Sequence, residues 1–279
     1  PIIAGILIYI MPIKRNYILS IIIQVVHLVT AIYCLLFSRI NPILFNIGDW
    51  VPPVGISIYA DSIAMSFVTI ASFLFLMFVV YNSFRHYANK MFYLLFLSLQ
   101  GLLTGIFLVD DLFTMFVLVE VSTIIVSLLI MHKRDSRSMY DGLIYLLVNI
   151  FAMTFFLLGI SVLYKVVGTF SIRLIKEITP NIADKRSLYL PFALILTSVS
   201  LKSALMPLFS WLPKAHGTPS APSVVSAVLS GLYVKGGVYL FLRVSDAFVG
   251  VDVSTFFLVC GIITSIIGFL LAFVQTDIK

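Results

Sequence analysis

Apolar runs of about twenty residues recur along the sequence, and they restrict the possible folds more than any other feature. A run of this length spans the roughly 30 Å hydrocarbon core of a bilayer as an α-helix, whereas membrane β-barrels use runs of about ten residues with alternating polarity. Hydrophobic residues make up 61% of the chain and charged residues 11%, and the mean hydropathy is +1.13. The sequence therefore predicts an all-α polytopic integral membrane protein.

The positions of the runs predict about nine helices, of which the seventh is discontinuous. These helices are Pro1–Met11, Tyr17–Phe37, Ser62–Tyr81, Phe92–Val109, Leu112–Met131, Gly142–Tyr164, Leu188–Phe209, Pro222–Arg243 and Ser254–Gln275. The first run is too short to span a bilayer, so we expect the chain to begin inside its first helix. In the long connection before the seventh helix, Ile172 and Ile175 recur at helical spacing among charged residues, which predicts a short amphipathic helix at the membrane interface.

Three ionisable residues lie inside the predicted spans at similar depth: Glu120, Lys202 and Lys235. Glu120 follows Asp111 by nine residues, which places it about 13 Å into the fifth helix. A lysine near the bilayer centre costs at least about 2.5 kcal/mol on insertion scales, so a chain that keeps two is expected to use them. Burial disfavours the charged form of each group, whereas a carboxylate–ammonium contact favours both charges. Making and breaking such a contact would load and release a proton, which predicts a proton relay.

Each of these residues also has a simpler interpretation. Glu120 can form a purely structural pair with a lysine, without any transport role. Lys235 can extend its ammonium group to the membrane interface along its flexible stem. Both alternatives stay open at the level of the residues alone.

A proline-containing break separates the two lysines. Pro207 removes a backbone hydrogen bond from the seventh helix, and further prolines continue the interruption through WLPKAHGTPSAP. Non-helical backbone at membrane depth is tolerated only where it is buried in protein or lines a wet cavity. We therefore predict a water-containing cavity beside Lys202, with His216 as a further titratable member of the relay. The alternative for His216 is a loop histidine that bonds a backbone carbonyl.

The segment LKSALMPLFSWLPKAHGTPSAPSVVSAVLSGLYVKGGVYLFLRV resembles the signature of a family of antiporter-like membrane subunits. Respiratory complex I, Mrp-type cation/proton antiporters and energy-converting membrane hydrogenases share this family. A lysine, a broken helix, WLP-x-AH, a Pro/Ser stretch and a second lysine occur in the family's order, and the glutamate-bearing FVLVEVSTIIVSLLI precedes them. The resemblance implies that Glu120, Lys202 and Lys235 are the fifth-, seventh- and eighth-helix residues of a proton path.

The resemblance also implies a fold of two inverted five-helix repeats. We expect residues 92–243 to form the first, proton-translocating repeat. Amino-terminal helices and a loop in residues 1–61, and the third helix with its loop in residues 62–91, would precede it. Residues 244–279 would begin a second, truncated repeat, so the exit residue of the path would lie outside this sequence.

The sequence thus predicts a proton-translocating membrane subunit of a multi-subunit ion-pumping complex, of the NADH/ferredoxin:quinone oxidoreductase, membrane hydrogenase or Mrp antiporter type. A sodium/proton antiporter subunit and a membrane scaffold without transport are the alternatives. The sequence carries no metal, flavin, haem or nucleotide motif, so we predict no cofactor and assign any redox chemistry to partner subunits. Expected partners are other membrane subunits, protons, the lipid bilayer and, for the antiporter alternative, sodium, but not nucleic acid. The expected location is a bacterial or archaeal cell membrane.

Overall fold

The computed structural model describes residues 1–10, 16–83, 88–217, 221–251 and 254–274. Within these ranges, seven helices are long and apolar enough to cross a membrane. The chain divides into two compact units, Pro1–His132 and Lys133–Lys279. The predicted all-α polytopic membrane fold is confirmed. The predicted first and seventh helices are not among the seven, because the first has 9 residues and the seventh is interrupted.

The first unit combines membrane helices with a short β-hairpin. Its described elements are α1 (Ile2–Ile10), α2 (Asn16–Ser38), β1 (Ile43–Asn46), β2 (Ser57–Ala60), α3 (Ser62–Asn82), α4 (Lys90–Leu108) and α5 (Leu112–Ile130). The two strands pair antiparallel. Ser57 anchors the hairpin to the corner between α4 and α5, since its backbone carbonyl accepts from the Asp110 N–H at 3.1 Å. Asp111 then begins α5 by accepting from the backbone N–H of Thr114 at 2.6 Å.

A buried polar network joins α2, α3 and α4. Nε2 of Gln100 donates to Oε1 of Gln24 at 2.8 Å and also lies 3.1 Å from Nδ1 of His27. The hydroxyl of Ser72 lies 2.9 Å from the same histidine nitrogen. Gln24, Gln100 and Ser72 are almost fully buried. Because lipid tails offer no hydrogen bonds, such interhelical contacts satisfy polar groups that would otherwise be costly in a membrane.

The second unit contains the predicted break and both lysines. Its described helices are α6 (Ser136–Val167), α7 (Ile172–Ile178), α8 (Tyr189–Lys202), α9 (Trp211–Gly217), α10 (Ser223–Val228), α11 (Val234–Ala247) and α12 (Ser254–Val274). A π-helical turn, Leu229–Tyr233, joins α10 and α11 into one span. The short helix α7, with Ile172 and Ile175 buried, confirms the amphipathic helix predicted in the long connection.

The predicted seventh helix, Leu188–Phe209, is confirmed as discontinuous but is wrong in its second half. The helix ends at Lys202, and Ala204 adopts a left-handed conformation with φ of 53°. Pro207 explains this end, because its ring and missing N–H exclude the preceding helical turn. The interruption predicted through WLPKAHGTPSAP is also wrong in part, since α9 forms there with Pro213 in its first turn, where proline is tolerated. Residues 218–220 of that segment and the predicted helix end at Gln275 lie outside the described residues.

Candidate functional site

Lys202 is a buried cation at a helix end. It is the last residue of α8, and only 3% of its surface is exposed. Its Nζ lies 5.5 Å from the ring centroid of Tyr233, within the range of a cation–π interaction. The carboxyl end of a helix carries partial negative charge, which also favours an ammonium group. The lysine that the sequence places at membrane depth is therefore enclosed by the protein at the carboxyl end of α8.

An aromatic cluster begins at this lysine, because Tyr233 also contacts Tyr145, which in turn contacts Trp211. The rings of Tyr145 and Trp211 lie 5.5 Å apart, and those of Tyr145 and Tyr233 lie 6.4 Å apart. Nε1 of Trp211 donates to the carbonyl of Leu201 at 2.9 Å. The last carbonyls of a helix have no intrahelical partner, so this indole N–H satisfies one of them. The aromatic cluster thus stabilises the end of α8 and encloses Lys202 on the side of α6 and the π turn.

The break after Lys202 is held by bonds to distant parts of the unit. The backbone N–H of Met206 donates to Oγ1 of Thr264 at 3.0 Å, and the Met206–Pro207 peptide bond is cis. A cavity of about 240 Å³ opens here, lined by Leu196, Thr197, Ser200, Leu205, Met206, Pro207, Leu208, Phe256 and Cys260. The lining is mainly apolar, and Lys202 does not contribute to it because residues 196, 197 and 200 lie on another face of α8. The predicted wet cavity beside Lys202 is therefore not this one.

A glycine allows α11 to approach the end of α8. A Cβ atom at Gly237 would lie 2.8 Å from the carbonyl carbon of Lys202 and 2.8 Å from the backbone nitrogen of Ser203. These distances are far below van der Waals contact, so a larger residue cannot fit without backbone movement. Gly237 consequently fixes how closely the helix that carries Lys235 packs against Lys202.

Lys235 lies on the exposed side of α11, just after the π turn. Its Nζ donates to the backbone carbonyl of Ser230 within that turn. π-helical turns bond i to i+5 and occur often at functional sites. Lys235 is thus folded back along its own helix, whereas Lys202 is enclosed by several elements.

His216 lies in the last turn of α9 and is half-buried. The alternative that placed His216 in a loop is wrong, because residues Trp211–Gly217 form a helix. Pro213 lies in the first turn of that helix, where proline is tolerated. Its backbone carbonyl accepts from the hydroxyl of Ser226 at 2.9 Å, which connects α9 to α10. Its Nδ1 is buried and has no hydrogen-bond partner among the residues that the structure describes. The imidazole therefore remains available for a further polar contact.

Glu120 is the ninth residue of α5 and is half-buried. Its depth, about 13 Å along the helix from the Asp111 cap, agrees with the depth expected from the sequence. It belongs to the first unit and Lys202 to the second. The predicted Glu120–Lys202 pair therefore stays a prediction.

Sequence reasoning missed the aromatic cluster at Lys202 and the buried amide of Asn149 on α6. Tyr145 and Tyr233 stand in aromatic-rich spans, where lipid contact or core packing is the ordinary role, so the sequence held no signal for them. Asn149 did give a signal, because it is a buried amide in an otherwise apolar stretch of α6. The logic that selected Glu120 applies equally to that residue.

Comparison with known proteins identifies the family. Residues 109–279 match the model of the family described as NADH:quinone oxidoreductase/Mrp antiporter, transmembrane. The putative antiporter subunit mnhD2 of Staphylococcus aureus strain MRSA252 is 33% identical over 211 residues, which cover 74% of this chain and 41% of the relative. The corresponding protein of strain Newman matches to the same extent. This chain thus spans less than half the length of these curated relatives.

Two solved structures have the same fold. A chain of the membrane-bound sulfane sulfur reductase, an archaeal respiratory membrane complex, aligns with a TM-score of 0.83 and 22% identity, covering 90% of this chain and 53% of its own. A chain of the Mrp complex from Dietzia sp. DQ12-45-1b aligns with a TM-score of 0.78 and 24% identity, covering 87% and 46%. The apolar helices and bacterial relatives agree with the predicted integral protein of a prokaryotic cell membrane. Since the family model covers more than half of the sequence, the chain belongs to the transmembrane family of NADH:quinone oxidoreductase and Mrp antiporter subunits.

Proposed function

We propose that this chain conducts protons as part of a membrane subunit in a multi-subunit ion-translocating complex. The observation that carries the proposal is the burial of Lys202 at the end of α8, with its Nζ over the ring of Tyr233. A lysine held in this way can exist as an ammonium or an amine without losing its place, because its surroundings are fixed by packed aromatic rings. That property is the one a proton carrier needs.

In the proposed path, Lys202 takes up and releases the proton. Approach of the Glu120 carboxylate favours the ammonium form, and separation of the two groups favours release as a neutral amine. The released proton passes through water to the amine of Lys235, which becomes an ammonium. In the structure Lys235 donates to the Ser230 carbonyl, and its amine form keeps a lone pair that can accept the proton. His216 supplies a further titratable group at the break.

An Mrp-type antiporter is the leading choice among the possible complexes. The curated relatives are named putative antiporter subunits, and one of the two structural neighbours comes from an Mrp complex. The other neighbour comes from a respiratory membrane complex, which supports redox-driven proton movement as the second candidate. Antiport also requires a cation site of carboxylates or unwound carbonyls, which we assign to parts of the complex outside this chain.

Proton movement in everted membrane vesicles tests the proposal. The intact complex would carry Lys202→Ala or Glu120→Gln, with Lys165→Ala as a matched control because Lys165 is exposed at the end of α6. We expect both site variants to assemble and to lose nearly all proton movement, measured with a pH-sensitive acridine dye, while the control retains it. Wild-type movement in both site variants would instead support a scaffold. A response that requires added sodium identifies antiport, and one that requires only a reductant identifies redox coupling.

A further inference from the structure

The packing of α6 against α8 fixes which residues face Lys202. A Cβ atom at Gly159 would lie 3.0 Å from the carbonyl oxygen of Pro191, so the two helices are in close contact there. Nearer the break, the hydroxyl of Ser198 contacts the sulfur of Met153 at 3.7 Å. Rising residue numbers in α6 thus meet falling numbers in α8, so the helices run antiparallel.

This register brings Asn149 to the level of Lys202. Asn149 lies one helical turn from Met153, and Lys202 lies one turn beyond Ser198 in the matching direction. The surroundings agree, because the Asn149 amide donates to the carbonyl of Tyr145, whose ring contacts that of Tyr233 at the Lys202 site. A fully buried amide and a buried amine therefore occupy the same layer of the unit.

The two oxygen atoms that flank this layer are unsatisfied acceptors. Oδ1 of Asn149 and Oγ of Ser203 are both buried and have no hydrogen-bond partner among the described residues. A buried polar atom without a partner destabilises the folded protein, so such groups normally bind an ordered water or a charged donor. Lys202, whose ammonium form has three N–H donors, is a buried donor in this layer.

We propose that Asn149 is a positioning residue for Lys202, which its Oδ1 reaches through one buried water. The inference rests on the proposed proton path and deepens it. An amide does not titrate, so it remains an acceptor through the whole cycle and favours the ammonium form at one fixed place. The Asn149 layer would therefore set how readily Lys202 gives up its proton.

Other titratable groups near this layer are few among the described residues of the second unit. The phenols of Tyr145 and Tyr233 belong to the aromatic cluster, His216 lies on α9, and Lys235 lies on an exposed face. From the first unit, Glu120 is the predicted partner of Lys202. None of these groups is altered by a substitution at Asn149.

The pH profile of proton movement in the intact complex provides the test. Asn149→Leu should lower the rate about tenfold and move the half-maximal pH down by about one unit, because the ammonium loses a polar contact. Asn149→Asp should move the half-maximal pH up, because a carboxylate favours the ammonium. Ser198→Ala is the control: it removes an equally buried hydroxyl one turn away and should leave the profile unchanged.

Opposite shifts of the half-maximal pH in the two variants would support the inference. If Asn149 were purely structural, its replacement would change the amount of assembled complex but not the pH profile of proton movement. A wild-type profile in both variants would overturn it. If Asn149→Leu fails to assemble, judged by native gel electrophoresis, Asn149→Asp decides alone, and an unshifted profile overturns the inference. Loss of transport in Lys202→Ala together with wild-type behaviour at position 149 would reject this inference and leave the proposed function standing.

Discussion

Replacing Gly237 with alanine tests the packing that holds Lys202 in place. The added Cβ would lie 2.8 Å from the Lys202 carbonyl carbon, the Ser203 nitrogen and the Ser203 hydroxyl oxygen. Two of these three atoms belong to the backbone, so the strain cannot be relieved by a side-chain rotation alone. Instead, α11 must move away from the end of α8.

The size of the effect follows from the distances. Non-bonded carbon atoms prefer about 3.5–4.0 Å, so the helices must separate locally by roughly 1 Å. Overpacking of this kind costs about 1–3 kcal/mol, and the better helix propensity of alanine returns about 1 kcal/mol. We expect a net destabilisation of about 2 kcal/mol at most. The displacement matters more for transport, because misplacement by about 1 Å can lower a proton-transfer rate by about a hundredfold.

Two assays measure these effects, with Gly231→Ala as the matched control. Gly231 lies in the π turn of the same span, and a Cβ there meets no atom within 4 Å. Thermal unfolding of the detergent-solubilised complex should show a lower midpoint for Gly237→Ala than for the control, and dye-monitored proton movement should fall at least tenfold. Unchanged stability and transport in Gly237→Ala would refute the close approach of α11 to Lys202.

Three further predictions address other contacts. Trp211→Phe removes the N–H that satisfies the Leu201 carbonyl and should destabilise the complex by about 1 kcal/mol in thermal unfolding; an unchanged midpoint would contradict this role. Gln100→Leu removes a donor to His27 from a buried network and should lower the free energy of unfolding by about 1–3 kcal/mol. The unfolding midpoint should therefore fall further than in Trp211→Phe, while the pH profile of transport stays unchanged. Lys235→His should retain partial proton movement and Lys235→Leu should lose it, whereas full activity in the leucine variant would indicate that this lysine only reaches the membrane interface.

The sequence predicts the class of fold and the residues of the candidate site because both can be recognised from residues that are close together in the chain. A charged residue in an apolar run of about twenty residues is visible without any tertiary information, so Glu120, Lys202 and Lys235 can be selected directly. Pro207 likewise predicts the discontinuity of the seventh helix, because proline breaks a helix interior. The family resemblance, confirmed by the match over residues 109–279, depends on the order of these features.

The bounds of the helices around the break cannot be predicted from the sequence, because they depend on contacts between residues far apart in the chain. Apolar character continues past Lys202 to Phe209, so hydropathy alone extends the helix too far. Pro207 ends α8 within this apolar run, and the bonds from Trp211 to Leu201 and from Met206 to Thr264, the second of which spans 58 residues, hold the chain at the break. The π turn is equally hidden, since α- and π-helical segments have the same composition.

Proton flux through the purified complex, reconstituted in liposomes, shows whether protons pass through Lys202. The wild-type complex, Lys202→Ala and the exposed control Lys165→Ala would be compared at equal protein content with an entrapped pH-sensitive dye. We expect that Lys202→Ala reduces the flux to the level of empty liposomes, while the control matches the wild type. Wild-type flux in Lys202→Ala would contradict a proton path through this buried lysine.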